Sequence, residues 1–189
     1  MIKKALREQL REVLTSVPPD QLHERSLRAC AMLAETPEYR RSEIIMVFLS
    51  LPTEIDTTPL VLRAWRDDKR VLAPRVSFEQ RRILPIEIES LSDDLFESPL
   101  GIREPARGVP IPQANIDMVI VPGLGFDHSG HRIGRGRGFY DRFLAHGEWK
   151  GTSCGLAFEC QVVEQVPVME HDMKVNMLVT DEQVRRFRR

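Results

Sequence analysis

Apolar residues recur at helical spacing from the start of the chain: Ile2, Leu6, Leu10, Val13 and Leu14. They predict an amphipathic first helix whose opposite side carries Lys3, Arg7 and Arg11 as a basic stripe. Pro18-Pro19-Asp20 breaks this helix and starts a second one, with Leu27, Cys30, Ala31 and Ala34 expected to face a core. Ile44 to Leu49 is a continuous apolar run, the pattern of a strand buried on both faces. Asp56-Thr57-Thr58 followed by Pro59 reads as a cap and first helical turn, with Leu60, Val61 and Trp65 beyond. Further strands are expected at Val71–Ala73, Ile83–Ile88, Met118–Val121, Cys154–Ala157 and Met177–Thr180. The Pro- and charge-rich stretch from Leu91 to Asn115 reads as an irregular excursion, and Arg185-Arg186-Phe187-Arg188-Arg189 as the solvated end of a helix. Strands alternating with helices predict a single α/β domain over residues 1–189, built on a mainly parallel sheet covered on both faces. Ligands of such sheets bind beyond the carboxyl ends of strands, which points to Ser50–Asp56 and to the glycine-rich segment after Met118–Val121.

Composition narrows the partners. With 27 Lys+Arg against 28 Asp+Glu in 189 residues the formal net charge is −1, so an anion site must be local. No nucleic acid or membrane partner is expected. Three cysteines without a CxxC spacing, no apolar leader and no run of about 20 apolar residues suggest a reduced, cytoplasmic protein.

The candidate chemistry lies in Gly134-Arg135-Gly136-Arg137-Gly138, between the apolar run ending at Val121 and the turn Phe139-Tyr140-Asp141. Glycines let backbone N–H groups approach an anion, and Arg132, Arg135 and Arg137 supply forked donors for phosphate oxygens. Asp141 is placed where a carboxylate could meet the Mg²⁺ that accompanies a nucleoside triphosphate. A solvated basic turn is the bland alternative; the preceding strand and the adjacent acid favour an anion site. The segment lacks the Gly-Lys-Ser/Thr of a Walker A loop and misses the GxGxxG dinucleotide spacing. His128 and His131, spaced HxxH beside Asp127, are flanked by small, flexible residues, and zinc is not expected there.

The run PGLGFDHSGHRIGRGRGFYDRFL at 122–144 resembles the signature of the 5-formyltetrahydrofolate cyclo-ligase (5,10-methenyltetrahydrofolate synthetase) family. KKALREQL at 3–10, FLSLPTEIDTTPL at 48–60 and VPVMEHDMKVNMLVTDE at 166–182 agree in the same order. The resemblance implies a three-layer α/β/α fold like that of sugar-phosphate isomerases and CoA-transferases. It implies ATP- and Mg²⁺-dependent cyclisation of a reduced formylfolate, 5-formyltetrahydrofolate, to the 5,10-methenyl form. By it, Lys3, Lys4, Arg7, Arg132 and Gly134 to Asp141 would bind ATP, with Arg132, Arg135, Arg137 and Tyr140 in the chemistry. Leu49, Glu54 and Arg135 to Phe139 would meet the folate, Phe48, Leu51 and Tyr140 could wall its rings, and Asp141 and Asp172 would hold the metal. Three positions depart from the pattern: Phe139 replaces a tyrosine, Arg137 stands where lysine or glycine is common, and Asn176 replaces a frequent aspartate. An active enzyme, monomeric or weakly dimeric, is expected. A sugar-phosphate isomerase or CoA-transferase relative needs a general base near the loop, and none stands out. A phosphate- or RNA-binding regulator would need aromatic residues interleaved with the basic clusters.

Overall fold

The computed structural model describes residues 2–93, 95–98, 101–147 and 149–187. The chain runs α1 (Lys3–Thr15), α2 (Pro19–Ala34), α3 (Pro37–Arg41), β1 (Ile44–Met46), α4 (Thr58–Arg66), β2 (Arg70–Ser77) and β3 (Arg82–Glu87). It continues through β4 (Leu95–Glu97), β5 (Arg103–Pro105), β6 (Met118–Val121), β7 (Gly125–Asp127), β8 (Arg132–Ile133), α5 (Phe139–Leu144), β9 (Thr152–Leu156), β10 (Val162–Val163), β11 (Met177–Val179) and β12 (Val184–Arg186). Seven strands form the main sheet in the order β12-β11-β9-β6-β1-β2-β3. Its five inner strands are parallel neighbours, and β12 and β3 add antiparallel edges.

The two-residue period of the strands divides the core. Ile45, Met118, Ile120, Cys154, Leu156, Met177 and Val179 join Leu6, Leu10 and Leu14 of α1, Leu33 of α2 and Leu60 of α4 in one cluster. Met46, Val119, Val121 and Leu178 join Phe126 of β7 and Phe143 and Leu144 of α5 in another. The expected three layers are present, but the second is thin: one six-residue helix, helped by the β7–β8 hairpin and β10.

Several local expectations change. Ile2 precedes α1 and is exposed. In α2 the buried stripe is Ser26, Ala29, Cys30, Leu33 and Ala34, while Leu27 and Ala31 face solvent. Ser26 takes a core-edge position because its hydroxyl accepts from the Asp56 N–H (2.9 Å), which turns Leu27 outward. Thr57 does not cap α4 with its side chain; its hydroxyl donates to the Phe48 carbonyl, and Asp56 accepts from the Thr58 N–H instead. Strand β1 ends at Met46, although Val47 to Leu49 stay buried. The excursion at 91–115 contains the antiparallel β4–β5 pair. The basic tail is strand, not helix: β12 pairs with β11, and Arg185 and Arg186 form ion pairs with Glu159 and Glu38. Arg188 and Arg189 lie outside the described residues.

Candidate active site

Beyond the carboxyl ends of the adjacent strands β1 and β6 the chain leaves the sheet, at Phe48–Asp56 and at Pro122–Gly138. These segments, the first turns of α1, the wall formed by β2, β3 and β5, and residues 169–172 enclose a cavity of about 460 Å³. That volume suits a small-molecule site. The β7–β8 hairpin aims the glycine loop. Its turn is tied by Asp127, whose carboxylate accepts from the N–H groups of Ser129, His131 and Val166 and meets the His131 ring at 3.1 Å. Burial alone would raise the Asp127 pKa, but these donors hold it below the ordinary carboxylate range. Asp127 therefore belongs to the scaffold, and among the described residues no cluster of metal-binding side chains accompanies it.

The glycine loop itself is held from several sides. Arg7 donates to the Gly134 carbonyl (2.9 Å), and its guanidinium would lie 3.6 Å from a Cβ on Gly136. Gly136 (φ +101°) and Gly138 (φ +65°) occupy left-handed backbone that bulkier residues resist. Arg135 sends Nε and Nη2 to Glu54 Oε1 (3.1 and 2.9 Å), while Glu54 Oε2 accepts from the Leu51 N–H. Arg137 lies over the Phe78 ring, which meets Phe139 edge-on at 5.8 Å. Arg132, buried on β8, donates to Asp141 Oδ1 (2.8 Å), and Met173 N–H binds the same oxygen. Lys3 pairs with Asp172, and this pair, the Met169 N–H and nearby His171 together overcome burial to lower the Asp172 pKa.

The structure thus brings Lys3, Arg7, Leu49, Glu54, Arg132, Gly134 to Asp141 and Asp172 around one cavity, with Phe48 and Leu51 beside them. Lys4 and Arg11 are exposed and do not line it. Sequence patterns missed part of the lining: Pro74, Val76, Ile83, Ile102 and Glu104 come from β2, β3 and the chain entering and forming β5. Glu104 stands in Ile102-Arg103-Glu104-Pro105, where no motif distinguishes it from a surface acid. Among the described residues, three buried polar atoms of the lining have no hydrogen-bond partner: Arg132 Nε, Tyr140 Oη and Glu104 Oε1. Burial pushes the Tyr140 hydroxyl pKa up, the nearby Arg132 guanidinium opposing and Glu54 reinforcing the shift.

A family model for the 5-formyltetrahydrofolate cyclo-ligase family matches residues 1–181. The chain belongs to the 5-formyltetrahydrofolate cyclo-ligase family. The 5-formyltetrahydrofolate cyclo-ligase of Escherichia coli K12 is 34% identical over 179 residues, covering 93% of this chain and 98% of that protein. Its mouse counterpart is 30% identical over 190 residues, covering 95% and 94%. The solved 5,10-methenyltetrahydrofolate synthetase of Aquifex aeolicus superposes with a TM-score of 0.86 at 30% identity, covering 100% of this chain and 94% of that one. The family read from the glycine loop stands, and with it the expectation of a ligase of folate one-carbon chemistry.

The donor set can be weighed against a divalent cation. Mg²⁺ takes few protein ligands, using one or two carboxylates with nucleotide phosphates and water. Asp141 and Asp172 both line the cavity. Each spends one oxygen on a cation and a backbone N–H, and among the described residues the other carries no hydrogen bond. That arrangement fits a metal arriving with its nucleotide. No helix among the described residues is long and apolar enough to cross a membrane.

Proposed function

We propose that this cleft converts 5-formyltetrahydrofolate to 5,10-methenyltetrahydrofolate at the expense of ATP. The observation that carries the reading is the convergence of Lys3, Arg7, Arg132, Arg135 and Arg137 with a glycine loop and two carboxylates on one partly apolar cavity. A formamide carbonyl is a poor electrophile and its oxygen a poor leaving group. Transfer of the γ-phosphoryl group to the formyl oxygen releases ADP and makes that oxygen a good leaving group. N10 then adds to the formyl carbon and gives up its proton, and phosphate departs as the C–O bond breaks. Both halves depend on positioning and charge stabilisation, so no protein nucleophile is needed.

Arg132, Arg135, Arg137, Lys3 and Arg7 neutralise phosphate charge, and the Gly134–Gly138 amides would cradle phosphate oxygens. Asp141 and Asp172 would hold Mg²⁺, which would supply charge stabilisation at the transferring phosphoryl group. Glu54 orients Arg135 across the cleft mouth, Leu49 and Phe48 give the folate an apolar floor, and Tyr140 packs against Arg132 below the loop. A small reduced folate is the partner; pairing of Arg185 and Arg186 with acids argues against the tail as a nucleic-acid grip. The protein would act as a cytoplasmic monomer or weak homodimer.

The test mixes purified protein with 5-formyltetrahydrofolate and ATP, with Mg²⁺ or with EDTA, and follows the methenyl-folate absorbance band. A rise that requires both ATP and Mg²⁺ is expected. A flat trace from folded protein that binds ATP would sink the reading.

A further inference from the structure

Four carboxylates line the cleft, and three are matched to a cation: Glu54 to Arg135, Asp141 to Arg132 and Asp172 to Lys3. Glu104 is different. It is only 3% exposed; among the described residues Oε2 has one long bond from the Val76 N–H (3.4 Å), and Oε1 has none. Burial raises its pKa, with the Val76 N–H and Arg75 opposing the rise. A buried carboxyl with an unused acceptor is costly to the fold, and such groups concentrate where a ligand completes them. Its side chain borders the cavity beside Pro74, Val76, Ile83 and Ile102. None of the lysines or arginines lining the cleft comes from these strands. Rotation about the last glutamate torsion, whose profile is broad, can turn the free oxygen to the cavity.

We propose that Glu104 reads the donor edge of the folate ring, accepting the adjacent N3–H and 2-amino N–H of the aminopyrimidinone half. This rests on the folate reading above. Phosphates and the folate's carboxylate tail find no cleft-lining cation on this wall. The flat, nearly neutral ring offers two parallel N–H donors, spaced to meet both oxygens of one carboxylate, as a guanidinium does. Adenine fits less well, since its amine lies beside the lone pair of N1 and suits an amide side chain better than a carboxylate. Glu54, also expected to meet the folate, already accepts from Arg135 and the Leu51 N–H, so it has less acceptor capacity free than Glu104.

The experiment compares wild type and Glu104→Gln, each with 5-formyltetrahydrofolate and its 2-desamino analogue at saturating MgATP. Wild type should prefer the natural folate by roughly tenfold to a hundredfold in kcat/KM, the worth of one charge-assisted hydrogen bond. Glu104→Gln should lose most of that preference by raising the folate KM while leaving the ATP KM in place. Its melting temperature should equal or exceed the wild-type value, since an unsatisfied buried acid has been removed. Equal preference in both proteins would overturn the proposal, as would a loss confined to kcat or to the ATP KM. A clearly lowered melting temperature would also overturn it, by placing Glu104 in the fold's own bonding. Wild type inert toward both folates would instead defeat the underlying reaction, a different failure.

Discussion

Two short stretches after β6 look alike in sequence: the turn Asp127–His131 and the loop Gly134–Gly138, each pairing glycine with charged side chains. In space they behave oppositely. The first closes on itself, with both oxygens of Asp127 satisfied by backbone N–H groups and the His131 ring. The second is held at its margins by Arg7 and Glu54, while Arg132 Nε and Tyr140 Oη in the same lining have no partner among the described residues. Saturated polar groups build the support, and groups left open line the cleft. An unpaired buried polar atom weakens the fold, and a ligand in the cleft would relieve that cost.

The largest expected effect separates the two stretches by activity. Arg135→Ala should lower turnover by about 10²–10³, the usual loss when one preorganised donor is removed. Its melting temperature should barely move, because the Arg135–Glu54 pair is partly exposed. Near-normal turnover would remove the loop from the chemistry. Asp127→Ala should do the reverse, costing roughly 2–4 kcal/mol in urea unfolding by stranding backbone donors, with kcat kept in the folded fraction. The Asp127 pKa is lowered by folding, so its contribution is complete above the unfolded value near 3.8. It is lost as pH falls through the still lower folded value, and acid unfolding of Asp127→Ala should lack that component. A kcat loss as large as that of Arg135→Ala would break the contrast.

Two glycines give the finest comparison. Gly130 (φ +86°) leaves no room for a Cβ, which would sit 2.7 Å from the Phe187 ring and 2.9 Å from the Val175 carbonyl oxygen. A Cβ on Gly136 (φ +101°) would meet nothing nearer than the Arg7 guanidinium at 3.6 Å. Gly136→Ala should therefore cost about 1 kcal/mol of strain, and Gly130→Ala about 1–3 kcal/mol more, from clash with backbone and ring. Equal costs in thermal melts would mean that the Gly130 turn yields more readily than its packing implies.

What the chain order alone determined was the set of elements with strong periodicity: α1, the buried run at β1, the inner strands β6, β9 and β11, and the loop whose motif named the family. Apolar alternation and glycine spacing are local, so a linear reading can find them. The loop's candidates Arg135, Arg137, Tyr140 and Asp141 were legible for the same reason. Tertiary structure decided the rest. The basic tail became an edge strand because β11 offered an unpaired edge and Glu159 and Glu38 offered partners. Ser26 displaced Leu27 from the core through one bond to a residue thirty positions away. Asp127 and Asp141, two aspartates on either side of the loop, differ by the donors that folding brought to each: Asp127 is saturated within its own turn, whereas Asp141 lines the cleft. Glu104 had no signal in sequence, because an acid's burial and its lack of a partner depend on which strands fold over it. Periodicity is written along the chain, whereas satisfaction of a polar atom depends on residues far from it in sequence.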